Sequence, residues 1–322
     1  MPDLPEPIAF TPSGGRRHDP VACAVSVGNF DGVHRGHAAL AARLRQTADR
    51  LGIAAVAMTF DPHPASLVRP ATAPVPLTTP DRRAALLLDL GLDAVLVQPV
   101  DRRLIGLSAE SFYRDVLRAR LRAAAVVEGP DFRFGAGRGG DLRLLERLCR
   151  GDGVVLEVVP PVAADGEPVS SSRVRGLVAA GDVRGANLLL TAPFRVSGTV
   201  VVGARRGGTI GFPTANLGGV TTLLPAQGVY AARATLHTAA GPRRHAAAVH
   251  VGPNVSFGET AVTVEAHLVG FSGDCYGARL DVDFLDRLRD TRRFDTVSDL
   301  AAQLARDVAA AAGVAAVTME DR

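Results

Sequence analysis

Two imidazoles three residues apart open the chemistry of this chain. Residues Val27–His37 read VGNFDGVHRGH: the end of an apolar run, a glycine-bearing turn, then His34 and His37 at a helix start. Positions i and i+3 share one helical face, so both rings can address one object. A helix N-terminus adds backbone N–H donors and a positive dipole end, which suit a phosphate. Together these groups can stabilise charge developing on an α-phosphate during nucleotidyl transfer. The same HxxH spacing also fits half a zinc site with His63 as third ligand, or surface histidines without a role. Further along, Ser170-Ser171-Ser172-Arg173-Val174-Arg175 precedes a helix. Its hydroxyls and guanidiniums suit a second phosphate clamp, or a plain N-cap cluster. Gly129–Gly135 (GPDFRFG) follows a strand-like run, at the carboxyl end where α/β sheets bind ligands; it also reads as a structured loop with an aromatic plug.

The second half holds a different set. Gly211-Phe212-Pro213-Thr214-Ala215-Asn216 puts a Thr hydroxyl and an Asn carboxamide two residues apart on an extended segment. Hard oxygen ligands at that spacing suit Mg²⁺ with phosphates, although a simple Pro turn explains the same string. Glu265 sits inside an apolar strand, AVTVEAHLV. Alternation puts Val262, Val264, Ala266 and Leu268 on one face and Thr263, Glu265, His267 and Val269 on the other. Glu265 is therefore either solvent-facing or a carboxylate available as a general base.

The elements that must position these groups follow from hydrophobic period. Strand-like runs at 22–28, Ile53–Phe60, Ala94–Gln98, Ala125–Glu128 and Val154–Val159 alternate with helical patterns. The helices are expected after His37 up to Gly52, at Asp81–Leu90, from Ser108 to about Leu121 and over Leu142–Cys149. Strand–helix–strand repeats imply a parallel sheet, so residues 1–190 read as an α/β Rossmann-like domain. From Phe194 to Phe284 the runs RVSGTVVVG, GVYAARATL, RHAAAVHVG, AVTVEAHLVGF and RLDVDFL are short, β-branched and separated by Gly/Pro turns. They predict an antiparallel barrel or sandwich over 191–322, closed by a helix from about Ser298 to Ala312. The Pro-rich stretch at 70–80 reads as an active-site or surface loop.

Composition narrows the classes. The chain has 322 residues, 47% hydrophobic and 21% charged, with a net charge of +3. Every basic residue among the 36 is Arg, so Schiff-base and Walker-lysine chemistry are excluded. The charge carries no nucleic-acid footprint. Three separated cysteines, with no CxxC pair, suggest neither a disulfide framework nor a zinc ribbon. An acidic, Pro-rich start unlike a signal peptide and apolar runs short of a membrane span lead to the expectation of a cytoplasmic protein with no membrane and no obligate protein partner.

GNFDGVHRGH, TFDPHP (Thr59–Pro64), GPDFRFGAGRGGD (Gly129–Asp141) and VSSSRVR (Val169–Arg175) resemble the bacterial bifunctional riboflavin kinase/FMN adenylyltransferase (FAD synthetase) family across the N-terminal half. GFPTANL, Gly228-Val229-Tyr230, VEAHL, Asp274-Cys275-Tyr276-Gly277 and Leu288-Arg289 resemble its riboflavin kinase module, a six-stranded barrel. The resemblance implies adenylylation of FMN to FAD in the first half and phosphorylation of riboflavin to FMN in the second. ATP is the co-substrate and Mg²⁺ the cofactor of both. By the same resemblance His34 and His37 stabilise the ATP phosphates, with Gly28, Phe30, Asp31, Gly36, Asp131, Ser171, Ser172 and Arg175 at the nucleotide. Phe60, Pro62 and Phe132 border the flavin. In the barrel, Gly211, Thr214 and Asn216 bind nucleotide, Thr214 and Asn216 the metal. Glu265 takes the proton of the riboflavin 5′-hydroxyl, and Arg289 belongs to a loop closing over the flavin.

The barrel half departs from that pattern in three places. Gly208 stands where a basic residue is expected, and His250-Val251-Gly252…Val255-Ser256-Phe257 replaces Asn-Ile-Gly…Pro-Thr-Phe. Leu190-Thr191-Ala192-Pro193 replaces Leu-Gly-Arg-Pro. These departures bear on kinase strength and flavin fit, so the rival readings are adenylylation alone or a flavin-sensing protein with neither activity.

Overall fold

The computed structural model describes residues 4–12, 22–203, 206–253 and 261–320; Val255, Ser256 and Phe257 lie outside them. The chain divides into two compact units, Met1–Ser170 and Ser171–Arg322. That division falls ahead of the 190/191 boundary expected from composition.

The first unit is a six-stranded sheet built from β1 (Ile8–Phe10), β2 (Cys23–Val27), β3 (Ala54–Asp61), β4 (Ala94–Pro99), β5 (Ala123–Glu128) and β6 (Val155–Val158). Its order is β1-β4-β3-β2-β5-β6. All neighbours are parallel except the edge pair β1–β4. β2 is buried at all five positions, which explains its unbroken apolar run. The helix Arg35–Leu51 turns Ala41, Leu44, Thr47 and Ala48 inward, and Gly52 ends it in the left-handed region. The chain leaves β2 toward β3 and β4 on one side and returns to β5 and β6 on the other. The order therefore reverses between β2 and β5, where open α/β sheets leave a crevice at the strands' carboxyl ends. GNFDG leaves β2 there, TFDPHP ends β3, and GPDFRFG leaves β5.

One expected helix takes an unusual winding. A single turn at Ala109–Ser111 runs into a π-helix over Phe112–Arg120, and the Leu121 amide bonds the Val116 carbonyl five residues back at 3.0 Å. Missed altogether were β1 and the hairpin β7 (Ala163–Ala164) with β8 (Glu167–Pro168).

The second unit begins with helices Ser171–Ala180 and Val183–Leu189. A closed antiparallel barrel follows, made of β9 (Arg195–Val201), β10 (Ala215–Gly218), β11 (Gly228–Thr238), β12 (Gly241–Gly252), β13 (Thr263–Leu268) and β14 (Arg279–Arg289), in the order β10-β13-β12-β11-β14-β9. Tyr230, Ala232, Leu236, Leu280 and Phe284 are fully buried, the Tyr230 and Phe284 rings meeting edge-on at 5.3 Å. The last helix runs Val297–Glu320, and its Ala311, Val308 and Val314 pack against Ala231, Ala248 and Leu288. By length and composition its segment Val297–Val317, with mean hydropathy 1.4, is enough to cross a membrane, longer than the apolar runs read from sequence.

The helices Ser171–Leu189 are held to the barrel by specific bonds. Asn187 donates through Nδ2 to the Phe284 carbonyl and accepts from the Phe194 amide, both at 2.8 Å. The Ala226 amide bonds the Val178 carbonyl at 3.3 Å. Without these helices, buried Val178, Val183, Ala186 and Leu189 are lost and the Asn187 bonds with them. A fragment starting at Ser171 is therefore expected to melt cooperatively. One starting at Thr191 should be weaker by about 3 kcal/mol, the sum of lost burial and hydrogen bonds. That difference is on the order of 10 °C for a chain of this size. Equal melting temperatures by circular dichroism would show that the helices do not belong to the barrel's folding unit.

Candidate functional site

In the first unit, the loop after β2 is a strained turn held from below. Phe30 and Val33 both sit at positive φ, 46° and 44°. For a β-branched Val that conformation costs on the order of 1–3 kcal/mol and persists only where surroundings impose it. Asp31 is 2% exposed, and its carboxylate accepts from the Leu77 amide at 2.9 Å and from the Thr78 amide and hydroxyl at 3.0 and 2.9 Å. The Arg83 guanidinium lies 3.8 Å from it. Arg83 donates to the Thr59 hydroxyl and the Phe60 carbonyl, each at 3.0 Å. Thr59 in turn bonds the Asn29 carbonyl at 2.9 Å, and the Gly32 amide bonds Thr78 Oγ1 at 3.3 Å. Asp31, expected at the nucleotide, thus also ties the 77–78 segment to the loop from within the protein.

This loop delivers the histidines. His34, 6% exposed, is the N-cap of Arg35–Leu51, and its ring stacks on that of His37 at 3.6 Å. Phe30 meets His37 edge-on at 5.2 Å. The glycine between them has a steric reason: a Cβ on Gly36 would lie 3.1 Å from the His34 ring. The His34 amide donates to His37 Nδ1 at 3.3 Å, so the neutral ring carries its proton on Nε2. Burial holds His37 well below the ordinary imidazole range, and the His34 and Arg83 charges push the same way. His37 is thus a neutral hydrogen-bond donor rather than a cation.

Around the same sheet edge, Gly28 packs against the Phe30 ring and Phe60 ends β3 half-buried. Pro62 follows a cis Asp61–Pro62 bond and is exposed, as is Asp131. Phe132 stacks on buried Phe134 at 5.4 Å. His63 caps its own turn, Nδ1 accepting from the Ala65 amide at 3.1 Å. Among the described residues no group of three His, Cys, Asp or Glu is placed to hold a metal, so the zinc alternative has no support.

Two buried groups here escaped the sequence reading. Arg83 lies on the inward face of helix Pro80–Asp89 beside Ala84, Leu86 and Leu87. Glu128, 3% exposed, ends β5 and accepts from the Val27 amide at 2.7 Å, bridging the two strands where the order reverses. Burial drives its carboxyl well above the ordinary range, against the pull of that bond. A charge closing an apolar strand or facing a helix's apolar side was the available signal.

In the second unit, Ser171 and Arg175 are half-buried and Ser172 exposed in the first turns of Ser171–Ala180. The barrel's constellation is on its outer face. Glu265 pairs with Asn216 of β10 on one side. Its Oε2 accepts from Thr214 Oγ1 at 3.4 Å and Oε1 from Thr263 Oγ1 at 3.3 Å. Alternation along β13 holds: Val264, Ala266 and Leu268 are buried, while Thr263, Glu265 and His267 are half-exposed. Gly211 is exposed at φ 86°. Gly203 lets the chain approach Asn216, whose amide nitrogen would be 2.3 Å from any Cβ there. The Thr214 hydroxyl and the Asn216 carboxamide are hard oxygen ligands that suit Mg²⁺, with the Glu265 carboxylate beside them.

Arg289 is placed differently from its expected loop. It is the last residue of β14 and not part of a loop, and its guanidinium grips the buried Asp307 of the C-terminal helix at 2.7 to 3.1 Å.

Comparison with known proteins covers both halves of the chain. The family model for FAD synthetase matches residues 16–173, and that for riboflavin kinase matches residues 190–315. The bifunctional riboflavin kinase/FMN adenylyltransferase of Pseudomonas fluorescens is 38% identical over 91% of this chain and 93% of its own. Its counterpart in Escherichia coli K12 is 35% identical over 88% and 90%. A solved structure titled as a macrolide-efflux protein from Streptococcus pneumoniae matches with a TM-score of 0.78 and 32% identity, covering 90% of this chain and 93% of that one. With both family models matched in order and relatives this similar along nearly their whole length, the chain belongs to the bifunctional riboflavin kinase/FMN adenylyltransferase family.

Proposed function

We propose that this chain phosphorylates riboflavin to FMN on the barrel's outer face and adenylylates FMN to FAD at the carboxyl edge of the parallel sheet. The reading is carried by one observation: each compact unit holds its own constellation, the stacked His34 and His37 in one and the Thr214, Asn216 and Glu265 oxygens in the other.

In adenylylation the FMN phosphate attacks the α-phosphate of ATP and pyrophosphate leaves. His37 donates from Nε2 to a phosphate oxygen, His34 holds that ring by stacking, and the helix amides add donors. Phe60, Pro62, Phe132 and Asp131 border the flavin and nucleotide. By family resemblance alone, Ser171, Ser172 and Arg175 are assigned as phosphate-binding residues. In phosphorylation Glu265 accepts the proton of the riboflavin 5′-hydroxyl as it attacks the γ-phosphate. Thr214 and Asn216 hold Mg²⁺, which when bound neutralises phosphate charge. In a chain without lysine, Arg side chains and backbone amides supply the remainder. A cytoplasmic setting, where ATP and reduced thiols are at hand, fits this chemistry.

His34→Ala and His37→Ala should each lower FAD formation from FMN by roughly 10²–10³ while leaving FMN formation from riboflavin intact. Equal loss of both activities in folded protein would remove the two-site assignment. Glu265→Gln keeps shape but not proton acceptance, so riboflavin phosphorylation should fall on the order of 10²–10⁴ with adenylylation unchanged. A wild-type kinase rate in Glu265→Gln beside a loss in Thr214→Ala would end the base assignment. Wild-type protein that makes FAD from FMN but no FMN from riboflavin would leave adenylylation alone.

The neutral His37 has a pH consequence. Its pKa in the folded chain is below its unfolded value of about 6.5. The stability it contributes is therefore present above about pH 6.5 and is lost as pH falls from there toward the folded value. The adenylylation rate should likewise show no His37 ionisation near 6.5. A kinetic pKa there that disappears in His37→Gln would refute the neutral-donor role.

A further inference from the structure

The barrel's register lines up one row of residues around its outer face. Arg289 of β14 pairs with Val229 of β11, Val229 with His250 of β12, His250 with Glu265 of β13, and Glu265 with Asn216 of β10. Directly opposed residues in antiparallel strands share a face, with Cβ atoms about 4.5–5.5 Å apart. His250 is therefore the immediate cross-strand neighbour of Glu265, on the side away from Asn216. It is half-buried, and its Nε2 lies 3.4 Å from the Thr291 hydroxyl, two residues past the end of β14. Arg289, in that same terminal stretch, is clamped to Asp307 of the last helix.

We propose that His250 is a positioning residue for the kinase reaction, setting the carboxylate of Glu265 toward the acceptor hydroxyl and linking it to the 289–291 segment and the C-terminal helix. The inference rests on Glu265 being the base. Two threonine hydroxyls contact that carboxylate, Thr214 from before β10 and Thr263 from its own strand, and His250 of β12 stands opposite it in register. Charge arrangement agrees. Burial lowers the pKa of His250, the Glu265 carboxylate raises it, and the Arg289 guanidinium lowers it. The net direction is downward, which leaves the ring a neutral hydrogen-bonding partner. A neutral ring presents one donor and one acceptor nitrogen. It can therefore engage Thr291 with Nε2 and orient a carboxylate without neutralising the base.

The test uses the full chain and measures kcat and KM for riboflavin phosphorylation, with FMN adenylylation as the internal control. The variants are His250→Leu, His250→Asn, Glu265→Gln, Thr291→Val and the double variant His250→Leu/Glu265→Gln. His250→Leu should lower kcat by about 10–100-fold with KM for riboflavin within about threefold, and adenylylation unchanged. His250→Asn, which keeps hydrogen bonding, should recover most of that kcat, and Thr291→Val should lose a smaller part of it. In the Glu265→Gln background, His250→Leu should cost nothing more, since an orienting residue has no base left to orient. A wild-type kcat in His250→Leu, a loss confined to KM, a His250→Asn no better than His250→Leu, or full additivity in the double variant would each overturn the proposal while leaving the base standing. Unchanged kinase activity in Glu265→Gln would instead overturn the base reading, and His250's role with it.

Discussion

A buried ion pair underlies the first half of this molecule. Asp31 and Arg83 lie 3.8 Å apart, both nearly closed to solvent, and between them they fasten the loop after β2 to Thr59, Phe60, Leu77 and Thr78. Removing two charges from water is costly, and such a pair persists when hydrogen bonds satisfy most of the atoms. Here they do, and the return is geometric. The loop holds two non-glycine residues in the left-handed region, which no local preference of Phe30 or Val33 would choose. Relaxed, that loop would lose the angle at which His34 caps its helix and His37 stacks on it.

Much of this was readable from sequence because it depends on short-range periodicity. The βαβ repeats, the strand alternation around Glu265 and the grouping of motifs at strand ends all follow from periods of two or 3.6. What escaped depends on partners distant in the chain. The tying role of Asp31 escaped because its partners stand 46 and 47 residues away and offer mostly backbone amides, which carry no sequence signature. Arg289 looked like a loop residue because Asp307 could be recognised as its counter-ion only once the last helix was seen to lie on the barrel. The edge strand Ile8–Phe10 was hidden by prolines on both sides of a three-residue run. The tie of helices 171–189 to the barrel runs through long-range bonds, among them Asn187 to Phe284 and Ala226 to Val178.

The barrel distributes its chemistry differently from the sheet. Its interior is packed with Tyr230, Leu236, Leu280, Phe284 and alanines. Polar function is confined to the outside, where strand pairing rather than loop geometry decides which side chains meet. Because the side-chain period along a strand is two, a one-residue slip of β13 would send Glu265 inward and Val264 outward. Closure of the barrel forbids that slip, so the backbone ladder itself keeps Asn216, Glu265 and His250 in one line.

The grip of Arg289 on Asp307 also orders events during synthesis. Asp307 is on the final helix, so the outer face of the barrel cannot be sealed until almost the whole chain has left the ribosome. The parallel sheet, by contrast, is complete once Ser170 has emerged. At about 5–20 residues per second, the earlier unit has on the order of ten seconds to fold before its neighbour can.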